Sequence, residues 1–299
     1  MSVERIGAEA VAAKGWLGAH KWLILRRTSQ FGILALFLVG PWFGWWIVKG
    51  NLSYSLTLGV LPLADPYVLL QSLLTGHVPE RNAILGVAIV VGFYLLAGGR
   101  VLCSWVCPVN LLTDAAAWLR MRLGLKGGAH LTRAVRYWIL GMTLVLALVT
   151  GTIAWELINP VSMMHRGLIF GLGTAWVVLL AVFLLDLFVV QRGWCGHFCP
   201  MGAFYSLLGR YSLLRVSALR RAQCNDCMDC FAVCPEHQVI KPALKGAAQG
   251  LGPVILSPNC TNCGRCIDVC SKDVFEFGSR FNNPVERPAG ESAQPARTH

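Results

Sequence analysis

Eight of the chain's twelve cysteines fall in two copies of one spacing, C-x2-C-x2-C-x3-C. The first copy, CNDCMDCFAVC, starts at Cys224, and the second, CTNCGRCIDVC, starts at Cys260. Such short intervals let one tight loop present three thiolates around a common centre, while the fourth has to come from the other copy. The repeat therefore predicts a small soluble domain, built around thiolate-bound metal and beginning near Ala222.

This spacing is typical of bacterial two-cluster ferredoxins, in which each [4Fe-4S] cube takes three cysteines from one copy and one from the other. The predicted ligands form two sets: Cys224, Cys227, Cys230 and Cys270 for cluster 1, and Cys260, Cys263, Cys266 and Cys234 for cluster 2. Zinc is the structural alternative because thiolates also bind it, but zinc gives no reason for two identical runs of four. Disulfides are disfavoured because a cytoplasmic domain is kept reduced.

The rest of the chain is too apolar for a soluble protein, since 55% of the residues are hydrophobic and 14% are charged. Four segments are long and apolar enough to cross a hydrocarbon core of roughly 30 Å: residues 31–48, 83–99, 137–155 and 167–190. A fifth apolar segment, residues 52–74, contains Pro62, Asp65 and Pro66, which would break a helix in mid-membrane. We expect that segment to be a surface or re-entrant loop.

Lysine and arginine accumulate in short cytoplasmic segments, and their distribution predicts the topology. With four spans, residues 1–30 carry five of them, residues 100–136 six and residues 192–299 twelve. Only Lys49, Arg81 and Arg166 fall on the opposite side. Both termini and the ferredoxin domain are thus predicted to lie in the bacterial cytoplasm, below the inner membrane. Topology and anionic lipid explain the net charge of +11, so no nucleic acid is expected as a partner.

The predicted architecture is an α-helical integral membrane protein with four transmembrane helices and a C-terminal two-[4Fe-4S] ferredoxin-like α+β domain. A basic cytoplasmic tail covers residues 1–30, and the membrane domain covers residues 31–222. The ferredoxin domain covers residues 223–281, and a polar tail of residues 282–299 is expected to be disordered.

The other four cysteines form a second repeat, C-x3-C-P. RVLCSWVCP contains Cys103 and Cys107, and RGWCGHFCP contains Cys195 and Cys199. Each motif follows an even-numbered predicted span, which places both at the cytoplasmic face. If the spans continue as helices, the two cysteines of a motif share one helix face about a turn apart.

Three roles remain open for these motif cysteines. A disulfide within one motif needs distortion, because β-carbons roughly 5–6 Å apart on a helix would have to approach to roughly 3.8 Å. Four convergent thiolates could bind a metal ion or a further cluster, with His197 as another candidate ligand. A redox dithiol pair and a structural or docking role are the alternatives.

Asp186 lies in the apolar run VFLLDLFVV of the fourth predicted span. Ionisable groups inside spans are candidates for function by default, so Asp186 is a candidate proton-handling residue. The alternative is a polar contact with Arg192 or with a neighbouring helix near the cytoplasmic end.

The four spans, the two C-x3-C-P motifs and the twin-cluster tail together resemble the NapH family, the membrane subunits of the quinol dehydrogenase that serves periplasmic nitrate reductase. Five segments are similar to that family: GPWFG at Gly40, WVCP at Trp105, INPVS at Ile158, GWCGHFCP at Gly193 and CMDCF at Cys227. The resemblance implies that quinol is oxidised in the bilayer. Its electrons would pass to a periplasmic iron-sulfur partner, NapG, and then to nitrate reductase through its cytochrome subunits.

The resemblance also implies that the eight ferredoxin cysteines are cluster ligands and that the four C-x3-C-P cysteines are shared by the family. It supplies no quinol-binding residue. Glu156, His77 and His165 lie near the outer face by the predicted topology, where a quinol site could use such groups to accept protons. The predicted clusters and the periplasmic acceptor lie on opposite sides of a core of roughly 30 Å, which leaves a gap in the electron path.

The chain is accordingly predicted to be an electron-transfer oxidoreductase subunit that is active only with partner proteins. Two other functions fit the same motifs. One is a membrane oxidoreductase for metalloenzyme maturation, of the kind that assists copper oxidase assembly. The other is a non-enzymatic membrane anchor that docks redox partners.

Overall fold

A computed structural model describes residues 6–125, 127–129, 131–171, 173 and 175–284. The chain divides into two compact units, residues 1–23 with 213–299 and residues 24–212. We call the first the ferredoxin unit and the second the helical unit. Residues 285–299, which make up most of the predicted disordered tail, lie outside the described residues.

The helical unit consists of helices, one small sheet and single π-helical turns. Its elements in chain order are α1 (Ala8–Phe43, from Ile24 onward), β1 (Val48–Gly50), β2 (Tyr54–Thr57), β3 (Leu61–Ala64), α2 (Pro66–Leu74), α3 (Arg81–Ala97), α4 (Val109–Arg122), α5 (Val135–Thr150), α6 (Ala154–Ile158), α7 (Pro160–Phe170), α8 (Ala175–Leu184) and α9 (Pro200–Gly209). The π turns are Leu102–Val106, Leu185–Val189 and Trp194–Phe198.

Each predicted span overlaps an apolar helix. Among the described residues, α1 alone is both long and apolar enough to cross a membrane, and α3, α5 and Ala175–Val189 are shorter apolar helices. The prediction of one continuous span over residues 167–190 is wrong. Helix α7 ends at Phe170, and Gly171 and Gly173 have φ angles of 92° and 44°. Glycine readily adopts these values, which end a right-handed helix, so the apolar run is divided between two helices.

Residues 52–74, predicted to be a loop, instead supply β2, β3 and α2. The three strands form an antiparallel sheet in the order β1-β2-β3. Asp65 caps α2, because its Oδ1 accepts a hydrogen bond of 2.7 Å from the Tyr67 N–H, and Pro66 takes the first helical position. The proline-containing segment therefore satisfies its backbone groups by pairing in a sheet and by capping a helix.

The core of the helical unit is aromatic, and its outer surface is apolar as well. Tyr67, Tyr94 and Tyr205 pack together with Trp155 in a buried cluster. On α5, Trp138 and five other large apolar side chains are exposed: Met142, Val145, Leu146, Leu148 and Val149. A helix that is apolar on its outer face is typical of a lipid surrounding.

The ferredoxin unit is small and built around its cysteines. It contains α1 from Ala8 to Leu23, followed by β4 (Leu214–Ser217), α10 (Asp229–Val233), α11 (Ile240–Lys245), α12 (Arg265–Asp268) and β5 (Glu276–Ser279). Three 3-10 turns connect these elements, Arg221–Gln223, His237–Val239 and Ala247–Gln249. Strands β4 and β5 pair antiparallel. The buried core includes Val216, Ile240 and Phe275 beside Cys230 and Cys266.

The N-terminal segment is part of the ferredoxin unit, which the sequence did not indicate. The Trp22 and Leu23 N–H groups donate to the Asp268 carboxylate at 3.0 and 2.9 Å. The Gly7 N–H donates to Asp229 Oδ2 at 2.9 Å. Between these anchors α1 is kinked at Gly15, where φ is 74°. Residues predicted to be a basic tail therefore form a helix that packs on the cysteine-bearing domain.

Candidate iron-sulfur and thiol sites

The two C-x2-C-x2-C-x3-C copies adopt the same backbone conformation. Asp226 and Met228 in the first have φ angles of 58° and 66°, and the equivalent Asn262 and Gly264 have 47° and 73°. Positive φ is uncommon outside glycine, so its repetition at matched positions marks a shared loop shape. Backbone N–H groups that point into such a left-handed turn form a concavity for anionic groups, as at many Fe–S sites.

The structure brings the predicted thiol sets together. Cys224, Cys227, Cys230 and Cys270 line one cavity of the ferredoxin unit. Burial, followed by the neighbouring Cys227, Cys224 and Cys270, raises the pKa of Cys230 to about 12. For the second set, burial and then three of its members raise the pKa of Cys266 well above its usual range: Cys263, Cys234 and Cys260. In both cases a fourth cysteine lies nearby from the other copy, and its role as a cluster ligand stays a prediction.

An all-thiol donor set of this kind suits an iron-sulfur cluster. The Cys224 thiol donates to Asp226 Oδ1 at 3.4 Å, and the Cys260 thiol makes the matching contact with Asn262 at 3.5 Å. The Val274 N–H donates to Cys270 Sγ at 3.4 Å, a contact of the kind that would tune the potential of a cluster held there. Within the described residues, no group of three or more Cys, His, Asp or Glu side chains is arranged for a metal ion.

Each C-x3-C-P motif forms a π turn rather than a continued α-helix. The Cys107 N–H donates to the Leu102 carbonyl, and the Cys199 N–H donates to the Trp194 carbonyl, both at 2.9 Å and both spanning five residues. The proline that follows the second cysteine opens α9 in one motif and stands at the N-cap of α4 in the other. Single π turns are rare and occur frequently at functional sites.

The two motifs lie against each other inside the helical unit. Arg100 Nη2, from the first motif, donates to the Cys195 carbonyl of the second at 3.1 Å. Burial and then Cys103 raise the pKa of Cys199 to about 12. Burial, Cys103 and then Cys199 likewise raise the pKa of Cys107 above its usual range. These interactions across the motifs, together with those of Cys195, place the four half-buried cysteines in one cluster.

Side chains from distant elements hold the carbonyls of the two π turns. Gln30 on α1 donates to the Ser104 carbonyl at 3.0 Å, and Ser29 donates to the Trp105 carbonyl at 2.9 Å. Arg136 on α5 is fully buried and approaches the Gly196 carbonyl at 3.5 Å. Because guanidinium groups stay protonated, Arg136 and the buried Arg100 give this region positive charge that favours an anionic centre.

Asp186 supports the second motif. Its side chain is fully buried, and Oδ1 accepts a hydrogen bond of 2.8 Å from the Trp194 N–H at the start of the π turn. The Arg192 guanidinium pairs instead with Asp114 at 3.2 Å. Asp186 Oδ2 has no hydrogen-bond partner in the described part of the chain. The geometry shows a positioning contact, and the proton-handling role stays a prediction.

The three residues predicted near the outer face contact different elements. Glu156 Oε1 accepts from the Ser53 hydroxyl at 2.9 Å and the Asn159 amide at 3.2 Å. His165 is buried with its ring edge-on to Phe37, and the exposed His77 contacts Thr75. They therefore do not form one group.

The helical unit also contains a mainly apolar cavity of about 620 Å³ that the sequence did not predict. Asp65 and Tyr205 are among its lining residues, and both are buried. The sequence does contain one signal for this cavity: the carboxylate of Asp65, which stands in the otherwise apolar segment of residues 52–74.

Comparison with known proteins assigns both cysteine-rich regions to iron-sulfur families. The family model described as a 4Fe-4S binding domain matches residues 82–126 and 172–221, which contain the two C-x3-C-P motifs. The family model described as a 4Fe-4S dicluster domain matches residues 223–284. No solved structure matches the chain.

Curated relatives match nearly the whole chain. The methylamine utilization ferredoxin-type protein MauN of Methylorubrum extorquens is 55% identical over 91% of this chain and 94% of the relative. The ferredoxin-type protein NapH of Escherichia coli is 50% identical over 93% and 96%, and that of Haemophilus influenzae is 46% identical over 94% and 97%. The chain therefore belongs to the NapH and MauN family of ferredoxin-type iron-sulfur electron-transport proteins.

Proposed function

We propose that this protein is the membrane component of a quinol dehydrogenase, which takes electrons from quinol in the bacterial inner membrane and passes them to an iron-sulfur partner. The observation that carries the proposal is the pair of four-thiol sets in a chain whose other unit is made of apolar helices. The protein would act as an oxidoreductase only together with its partner proteins.

The ferredoxin cysteines are the proposed cluster ligands. Cys224, Cys227, Cys230 and Cys270 would hold cluster 1, and Cys260, Cys263, Cys266 and Cys234 would hold cluster 2. Bound [4Fe-4S] clusters supply one-electron carriers. The chain contributes thiolate ligands, the paired left-handed loops and the N–H donor of Val274.

Membrane insertion with both termini in the cytoplasm has independent support from the ferredoxin unit. Residues 6–23 and 213–284 pack into that unit, so the chain must return to the side from which it started. An even number of crossings between residues 23 and 213 satisfies this condition, and four spans do so. Helices α3 and α5, of 17 and 16 residues, are about 24–26 Å long at 1.5 Å per residue, which is near the lower limit for a span.

The four C-x3-C-P cysteines are proposed to hold a further iron-sulfur centre. Support comes from the half-buried thiol cluster, the cationic Arg100 and Arg136 beside it, and the family match over both motifs. A centre there would give quinol an electron acceptor within the helical unit, which the predicted electron path lacked. Redox-dithiol and docking roles are the competing possibilities for the same four residues.

The two groups of relatives suggest two candidate pathways for the electrons that leave this protein. Similarity to NapH supports delivery to NapG and periplasmic nitrate reductase. A second candidate is electron transfer in methylamine utilization, because the MauN relatives from Methylorubrum extorquens and Paracoccus denitrificans are each 55% identical to this chain. Expression in strains that lack NapH or MauN separates them. Restored growth by nitrate respiration supports the first, and restored growth on methylamine supports the second.

The central test is reduction of the full-length protein by quinol. Anaerobically purified protein in lipid nanodiscs is mixed with a short-chain quinol, and cluster reduction is followed by absorbance and electron paramagnetic resonance. We expect quinol to reduce a large part of the clusters that dithionite reduces. Clusters that dithionite reduces but quinol leaves oxidised would contradict the proposal and favour the non-enzymatic anchor. Reactivity that depends on added copper would favour a maturation role.

A further inference from the structure

The cavity of the helical unit has the dimensions and lining of a site for an apolar ring compound. Its volume of about 620 Å³ lies in the range of roughly 300–1,000 Å³ typical of small-molecule sites. Phe37 of α1 and Phe93 of α3 contribute aromatic walls, and Val48 and Leu63 contribute aliphatic walls from the sheet. A planar, lipid-soluble molecule fits such a lining because it loses little hydration on entry.

Two buried polar groups meet in this apolar lining. Asp65 is 5% exposed and Tyr205 is fully buried. The Tyr205 hydroxyl lies beside the Asp65 carboxyl and interacts with it, although the contact does not have the geometry of an ordinary hydrogen bond. The cavity therefore offers a ligand one hydroxyl and one carboxyl within an otherwise mainly apolar lining, the usual composition of a small-molecule site.

The Asp65 carboxyl is held in a fixed orientation. Its Oδ1 accepts from the N–H groups of Tyr67 and Val68 at 2.7 and 3.4 Å, as the cap of α2. Burial raises the pKa of Asp65 to about 7, against the opposing effect of these two N–H groups. A carboxyl in that range can take up and release a proton near neutral pH.

The cavity also touches the first C-x3-C-P motif. Leu102, Trp105 and Val106 line the cavity, and they belong to the π turn that carries Cys103 and ends at Cys107. A molecule in the cavity would therefore contact the same turn that presents two of the four motif thiols.

We propose that this cavity binds the ring of a membrane quinol, with Tyr205 donating a hydrogen bond to a ring oxygen and Asp65 accepting the proton that leaves. The inference rests on the proposed quinol dehydrogenase function and assigns its site. A quinol O–H bond breaks and an O–H bond forms on the Asp65 carboxylate. In this proposal Glu156, a second carboxylate whose charge acts on Asp65, receives this proton, so that Asp65 can accept the second. The two electrons leave singly to oxidised iron-sulfur centres, and the product is the quinone.

Substitution of Asp65 tests the proton-accepting role. Asp65→Asn keeps a side-chain oxygen that can cap α2, so the corner between β3 and α2 is preserved. We expect its rate of cluster reduction by quinol to fall about 100-fold, the lower end of what a positioned base contributes. Reduction by dithionite should be unchanged. Tyr205→Phe should weaken quinol binding, whereas Tyr211→Phe, at a tyrosine that is 67% exposed, should match the parent.

Filling the cavity with a larger side chain tests directly whether quinol binds there, and the test does not require electron transfer. Val90→Trp on α3 adds bulk to the lining, and the matched Ile84→Trp adds it to an exposed position on the same helix. A photoreactive azidoquinone should label peptides from residues 48–65 or 89–106 in the parent and in Ile84→Trp, but not in Val90→Trp.

The outcomes separate the site from the function. If quinol reduces the parent, Asp65→Asn and Val90→Trp equally fast, and the label falls elsewhere, the site assignment is overturned while the quinol dehydrogenase function stands. If quinol reduces none of them although dithionite does, the proposed function fails. In that case labelling still decides whether the cavity binds quinones, and absence of label from the cavity overturns the assignment as well.

Discussion

Each unit of the molecule contains a duplicated cysteine motif, but the two duplications are positioned in different ways. In the ferredoxin unit the contacts that shape each loop are local, since the Cys224 and Cys260 thiols contact side chains two residues away. In the helical unit the Arg100 contact with the Cys195 carbonyl joins residues 95 positions apart, and that of Gln30 with the Ser104 carbonyl joins residues 74 apart. Spacing alone can therefore define the first kind of site, whereas the second exists only after the helices have packed.

Removing all four C-x3-C-P thiols is the most severe test of this contrast. We expect the variant with serine at Cys103, Cys107, Cys195 and Cys199 to lose about four iron atoms from a parent content of about twelve, because one [4Fe-4S] centre is lost and two remain. Iron and acid-labile sulfide per chain, measured on anaerobically purified protein, provide the readout. Equal values near eight in both proteins would instead assign the motifs to thiol chemistry, docking or structure.

Single ferredoxin substitutions should remove one cluster each in a crossed pattern. Cys224→Ser and Cys270→Ser should abolish the same electron paramagnetic resonance signal, and Cys234→Ser and Cys260→Ser should abolish the other, because each set takes one ligand from the opposite copy. Loss of both signals in every variant would indicate collapse of the domain, which circular dichroism would detect. If Cys270→Ser removed the signal of Cys260→Ser, the cross-ligated assignment would be wrong.

Met228 and Gly264 occupy equivalent loop positions, but we expect substitution to destabilise the protein much more at Gly264. Both have positive φ, but a β-carbon at Gly264 would lie 2.6 Å from the Trp22 ring. We expect Gly264→Ala to lower the free energy of unfolding by roughly 2–4 kcal/mol, from backbone strain and overpacking together. Met228→Gly should change it by less than about 1 kcal/mol. Chemical denaturation followed by cluster bleaching measures both values.

Trp22→Ala provides the control for the Gly264 effect. In a double-mutant cycle it should recover a large part of the loss caused by Gly264→Ala, because the steric conflict is removed. Additive losses would show that the ring is not the obstacle and would leave backbone strain as the cause.

Asp186 distinguishes positioning from proton handling. Asp186→Asn keeps an oxygen that accepts from the Trp194 N–H but removes the ionisable carboxyl group. If the role of Asp186 is structural, the rate of cluster reduction by quinol should therefore stay within about twofold of the parent. Asp186→Ala leaves that N–H without its partner and should cost about 1–3 kcal/mol of stability. A strongly slowed Asn variant with normal stability would support the proton-handling prediction.

The smallest effect is expected at an exposed ion pair between the N-terminal helix and the rest of the ferredoxin unit, next to a stronger contact of the same helix. Asp268→Ala removes two hydrogen bonds to a carboxylate and should speed hydrogen exchange at Trp22 and Leu23, with a loss of about 1.5–3 kcal/mol. Asp273→Ala removes an ion pair with Lys14 at a side chain that is 52% exposed, and should cost less than about 1 kcal/mol. Equal protection in both variants would mean that packing alone holds the helix.

The sequence predicted what local spacing encodes. The cysteine sets and the apolar helices could be read from intervals of a few residues, whereas Asp268 and Trp22 are 246 positions apart and no pattern connects them. The π turns have no residue signature of their own, and the cavity depends on side chains from five separate parts of the chain. The break at Gly171 and Gly173 did have a signal, two glycines in an apolar run, but hydrophobicity outweighed it in the prediction.

The placement of residues 6–23 in the ferredoxin unit has a consequence for biosynthesis. This segment leaves the ribosome first, yet its partner strands and loops begin only at Leu213. At roughly 5–20 residues per second, the helix waits on the order of 10–40 s while the intervening helices are made and inserted. During that interval Trp22, whose ring packs edge-on against Phe277 in the finished unit, has no domain to dock on, so the segment must tolerate solvent, lipid or a chaperone. Loading of the clusters and closure of the unit are consequently late events, completed only when both ends of the chain are present.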